Sequence, residues 1–88
     1  MSIEPGEKRE ELRGAVRAYL AERPAGAYTA ATIALWLRRE HGCSDSEVLE
    51  ACLFLEDLGQ VQFVPSPLGA TKYWRATAAG ILAYEREG

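Results

Sequence analysis

Cysteine and histidine are nearly missing from this chain, which has only Cys43, Cys52 and His41. The two thiols do not form a Cys-x-x-Cys spacing. That excludes the common zinc frameworks, so no metal site is expected, and it implies a reducing compartment. Long apolar runs are missing as well. None approaches the roughly 18 residues a membrane span requires, and Met1 to Glu11 is charged where a signal peptide would be apolar. A cytoplasmic protein away from the membrane is expected. There is no Ser/His/Asp set and no glycine-rich phosphate loop, so neither catalysis, a cofactor nor a small-molecule substrate is expected. Glu56 and Asp57 are neighbours, so on a helix they diverge and cannot work as an acid/base pair.

Net positive charge is also lacking. Acids number 13 against 10 bases, for a formal charge of −3 at pH 7, whereas a nucleic-acid binder is usually basic on at least one face. The distribution of charge therefore matters more than its total.

The 88 residues, 48% of them apolar, fit one globular domain. A domain this small buries only about 60–65% of its unfolded surface, so a dimer interface would add stability. Residues 1–6, with Pro5-Gly6, are expected to form a disordered lead, and residues 7–88 the domain. From Glu7 to Glu22, Leu12, Val16, Tyr19 and Leu20 recur on one face of an amphipathic helix, which Pro24 stops. After a loop with a short strand near Tyr28, Thr29 can cap a second helix. Ala30, Ile33, Trp36 and Leu37 share its face, and Gly42 supplies a left-handed end.

Ser44-Asp45-Ser46-Glu47 has the S-x-x-E form of a capping box. Behind it Val48, Ala51, Cys52, Leu55 and Leu58 form an apolar stripe closed by Gly59. Cys52 belongs to this stripe as a small core residue, while Cys43 sits just before the helix start, where a thiolate could be stabilised. His41 lies in the turn between the two helices. The period then changes to 2. Val61–Val64 and Thr71–Ala76 predict two strands around a turn rich in Pro and Gly, a hairpin. Thr77 opens a short last helix carrying Ile81, Leu82 and Tyr84.

Two segments carry a resemblance to a known superfamily. Val48-x-x-Ala51-Cys52-x-x-Leu55-Glu56-x-Leu58-Gly59-x-Val61 looks like a third helix running into a wing. Tyr73-Trp74-Arg75-Ala76-Thr77-x-x-Gly80 looks like the junction from wing to last helix. In both, the chain resembles the winged helix-turn-helix regulators of the MarR, PadR and ArsR kind. The resemblance implies an α+β, mostly helical fold: a three-helix core, a β-hairpin wing and a short C-terminal helix. Ala76 and Cys52 stand where leucine is usual, and Trp36 and Trp74 are expected to fill the volume they leave.

In that superfamily the third helix enters the major groove. Here it carries Asp45, Glu47, Glu50, Glu56 and Asp57 and not one base. Its outward face presents Glu50, Leu53 and Asp57 beside Leu49, which suits a protein better than phosphates. Bases gather elsewhere. Arg9, Arg13 and Arg17 make a stripe on the first helix, Arg38 and Arg39 end the second, and Lys72 and Arg75 lie in a stretch, residues 59–84, with no acid. Two functions stay open. One is a DNA-binding regulator using Ser44, Ser46, Lys72, Tyr73 and Arg75. The other is an interaction module whose third helix meets a protein. A homodimer is expected in which Leu49 and Leu53 are buried and ringed by Glu50, Asp57 and the Arg9, Arg13, Arg17 stripe.

Overall fold

The computed structural model describes residues 5–66 and 69–87; the first four residues of the expected lead and the Pro67-Leu68 part of the turn lie outside the described residues. In chain order the elements are α1 (Pro5–Ala21), α2 (Ala30–His41), α3 (Asp45–Asp57), β1 (Val61–Pro65), β2 (Lys72–Ala76) and α4 (Ala78–Glu87). Helix α1 begins ahead of the expected Glu7. Proline is no obstacle in a first turn, because the N–H it lacks has no intrahelical partner there.

The core is one cluster. Leu12, Val16, Tyr19 and Leu20 of α1 meet Ile33 and Ala34 of α2, and Val48, Ala51, Cys52 and Leu55 of α3. One expected member is absent. Trp36 is 66% exposed, and the buried flank of α2 is Ala34 instead. The helical period accounts for it: Ala34 follows Ala30 by one turn, whereas Trp36 points about 200° away from Ala34, and the Cys43 sulfur lies 4.0 Å from the Ala34 carbonyl oxygen on the buried side. Leu58 also departs from the expected stripe. It follows the last turn of α3 as its cap and stays 53% exposed.

The ends of the helices are set by local chemistry. Thr29 Oγ1 accepts from the Thr32 N–H at 3.1 Å, and Gly42, at φ 57°, closes α2 with its N–H on the Arg38 carbonyl. Gly59, at φ 74°, turns the chain out of α3.

Strands β1 and β2 pair antiparallel with Val61 opposite Ala76 and Phe63 opposite Trp74. Tyr28 adds a further rung on the other edge of β2. Its N–H donates to the Trp74 carbonyl at 2.9 Å, and the Trp74 N–H donates back at 2.8 Å. Trp74, 1% exposed, thus lies between two pieces of extended chain, with the Phe63 ring packed edge-on at 5.8 Å. It belongs to the same core as Ala76 and Cys52, and Trp36 takes no part.

Thr77 caps α4. Its hydroxyl accepts from the Gly80 N–H at 3.1 Å and donates to the Gly59 carbonyl at 2.6 Å. Ile81 and Tyr84 pack on the core from this helix, while Leu82 remains exposed.

Candidate nucleic-acid and protein interface

The start of α3 is a closed capping box. The Ser44 N–H donates to Glu47 Oε1 at 3.0 Å, and the Glu47 N–H donates to Ser44 Oγ at 3.2 Å. Donation from the Ser44 backbone, then from its hydroxyl, with Lys8 nearby, holds the Glu47 carboxyl below its usual range. A lowered pKa means the box is complete above the ordinary carboxylate range and weakens as pH falls through the folded value. Ser44→Ala is expected to cost about 1 kcal/mol in urea unfolding; an unchanged midpoint would show the cap to be without weight. Asp45, beside it, pairs with Arg38 at 3.1 Å. The hydroxyl of Ser44 is therefore engaged in its own helix, whereas Ser46 stands exposed.

Along the outer face of α3, Glu50, Leu53 and Asp57 are exposed, and Leu49 is half-buried against the core. Phe54 flanks this stripe on the side of α1, where the Arg13 guanidinium lies 3.6 Å from its ring centre. The two helices enclose a groove of about 330 Å³ lined by Lys8, Arg9, Leu12, Arg13, Glu47, Glu50 and Ala51. Three bases, Lys8, Arg9 and Arg13, stand there against two acids, Glu47 and Glu50.

The arginine stripe of α1 does not stand clear of the molecule as expected. Arg13 covers Phe54, and Arg17 donates to Gln60 Oε1 at 2.9 Å and pairs with Glu87. Each four-residue step on a helix turns about 40° further round it. By Arg17 the stripe has therefore rotated onto the packed flank, against the α3–β1 turn and α4. Arg9 keeps its exposure. Phe54 and Gln60, which hold these arginines, carry no signal of that role in the sequence.

The hairpin presents its bases on two sides. Directly opposed residues of an antiparallel pair share a face and successive residues alternate. Lys72 therefore lies on the Trp74 side, while Tyr73 and Arg75 share the other with Gln62 and Val64. Lys72 and Arg75 are exposed and Tyr73 is half-buried.

The remaining chemical groups are quiet. Cys43 is 2% exposed, and burial raises its thiol pKa, which removes the thiolate its position suggested. Burial pushes Cys52 up to about 12. His41 ends α2, its Nε2 3.9 Å from Glu40. Among the described residues no cluster of three metal-ligating side chains occurs, and no helix is long and apolar enough to cross a membrane.

The sequence matches no protein-family model and no curated protein. Solved structures do match. A transcriptional regulator from Clostridium thermocellum superposes with a TM-score of 0.75 at 19% identity, over 98% of this chain and 84% of its own. The fold is a winged helix-turn-helix. ZitR of Lactococcus lactis shares it with a TM-score of 0.72 at 19% identity over 93% of this chain, which spans 58% of the ZitR chain. A structure addressing the DNA recognition and protein interaction domains of HOP2 gives 0.66 at 26% identity, covering 75% of this chain and 98% of that one. In winged-helix terms α3 occupies the recognition-helix position, and β1–β2 is the wing.

Proposed function

We propose that this winged helix is a DNA-binding protein of the transcription-regulating type that holds DNA chiefly by its wing. One observation carries the reading: the hairpin exposes Lys72 and Arg75 on opposite faces within a stretch, residues 59–84, that contains no acid. Phosphate binding rests on such bases and on the counterions they release. On α3 the exposed Ser46 adds a polar contact that brings no negative charge. The likeness to a transcriptional regulator and to HOP2 supports the reading.

Lys72→Ala and Arg75→Ala should each weaken DNA binding about equally across unrelated sequences. Each should also lower the slope of log affinity against log salt by roughly 1. Fluorescence anisotropy on labelled duplexes over a salt series measures both. Affinity and slope that ignore both substitutions would remove the wing from the mechanism.

A second reading is favoured by α3 itself, whose exposed acids and Leu53 suit a protein surface better than a groove. In that reading the domain is an interaction module that leaves DNA alone. Absence of any binding at low salt by the folded protein would select it.

A further inference from the structure

The groove between α1 and α3 takes no part in the proposed wing contact, and some of its charge has no partner inside the chain. Its volume of about 330 Å³ falls within the roughly 300–1,000 Å³ of small-molecule sites. Leu12 and Ala51, both buried, give it an apolar floor. Its walls come from two helices far apart in sequence, so no motif announces it.

The five charged groups around that floor are not equivalent. Glu47 is committed to the capping box, where it accepts from the Ser44 N–H at 3.0 Å, and the charge of Lys8 acts on it. Arg13 lies over the Phe54 ring. Arg9 and Glu50 are exposed and make no hydrogen bond, ion pair or ring contact among the described residues. They belong to opposite walls, Arg9 on α1 and Glu50 on α3. The other acids at this end of α1, Glu7, Glu10 and Glu11, turn about 100–160° away from Leu12 and line no part of the groove.

A bare anion would meet Glu50 here, and a bare cation would meet Lys8, Arg9 and Arg13. A molecule that carries both charges answers both free groups at once, and an apolar body covers the floor. We propose that the groove binds a hydrophobic α-amino acid. Arg9 holds the carboxylate, which its planar fork matches with two hydrogen bonds, and Lys8 adds positive charge. Glu50 holds the ammonium group. The ligand's side chain lies on Leu12 and Ala51, where it displaces water from apolar surface. This site goes beyond the DNA-binding reading and needs neither DNA nor the wing, so the two stand or fall separately.

Isothermal titration calorimetry of the full chain without DNA at neutral pH, with L-leucine as the probe, should show saturable binding of one molecule per chain. Leucine methyl ester lacks the anion and 4-methylpentanoate lacks the ammonium, and each should bind at least about tenfold more weakly. Glycine, with no side chain for the floor, should lose as much. Arg9→Gln and Glu50→Gln should each weaken leucine about tenfold and leave melting unchanged, since both side chains lie outside the core. Glu50→Gln should at the same time tighten 4-methylpentanoate, because it removes the acid that repels a bare carboxylate. A merely structural role for Glu50 would not do this. No saturable heat from L-leucine, L-methionine or L-phenylalanine up to about 10 mM overturns the proposal. So does an ester or a bare carboxylate that binds as tightly as leucine, or a Glu50→Gln variant that leaves both ligands unchanged.

Discussion

Gly80→Ala is expected to be the most damaging small substitution in the chain. A Cβ at this position would lie 1.9 Å from the Gln60 carbonyl oxygen and 2.9 Å from its carbon. Both are backbone atoms and cannot turn aside as a side chain would. The backbone has no slack there, because the Thr77 N–H donates to that same Gln60 oxygen at 3.1 Å, and the Thr77 hydroxyl to the Gly59 carbonyl. Alanine gains about 1 kcal/mol over glycine in helix propensity. It must also drive the first turn of α4 off the α3–β1 turn, which loses these bonds and unseats Ile81 and Tyr84. Overpacking of this kind costs about 1–3 kcal/mol where side chains can yield, and here they cannot. A net loss of about 3 kcal/mol or more in urea unfolding follows. Gly14→Ala is the control. Nothing lies within 4 Å of its Cβ position, and the site is inside α1, so it should stabilise by roughly 0.5–1 kcal/mol. Equal effects from the two glycines would refute the account.

Trp74→Ala should come next, at about 3–5 kcal/mol. The indole is the largest fully buried side chain, and it joins the wing to the body through the Phe63 ring and the core. Its Nε1 is buried without a hydrogen-bond partner among the described residues. That offsets part of its value but leaves the packing dominant. Because Trp74 sits where β2 meets both β1 and Tyr28, its loss should also expose the amides of that three-stranded edge. Thermal melting followed by amide exchange tests both. A loss under about 1 kcal/mol, with the Trp74 and Tyr28 amides still protected, would show that the wing is anchored elsewhere.

The fold was legible wherever a face is set by period alone. The α1 stripe, the Ser44 box and the hairpin all appear in the structure close to where periodicity and capping residues put them, because each depends on neighbours within a turn. The errors fall where the deciding atom is distant in sequence. Trp36 is a different case: Ala34, one turn after Ala30 and three residues before Leu37, fits the α2 stripe better, and Trp36 sits about 200° round the helix from it. Arg17 belongs to a regular arginine row, and it is taken out of that row by Gln60 and Glu87. For the candidate site, the sequence shows that α3 is acidic and the wing is not. That Lys72 and Arg75 face opposite ways follows from the strand period, and what only the register reveals is that Gln62 and Val64 share the face of Arg75.

The wing leaves the body at one well-tied corner. Its second strand is bonded on both edges and runs directly into Thr77, which grips the carbonyls of Gly59 and Gln60. Gln60 in turn receives Arg17 from α1. In mechanical terms the hairpin is a lever fixed at its root and not a flap on a hinge. A torque applied at its root passes through the corner into α1 and α4. A duplex held by Lys72 and Arg75 would accordingly set the orientation of the whole body. In a pair of such bodies, the angle between the two levers, and not the stretch of chain at their tips, would fix the spacing at which two segments of DNA can be held.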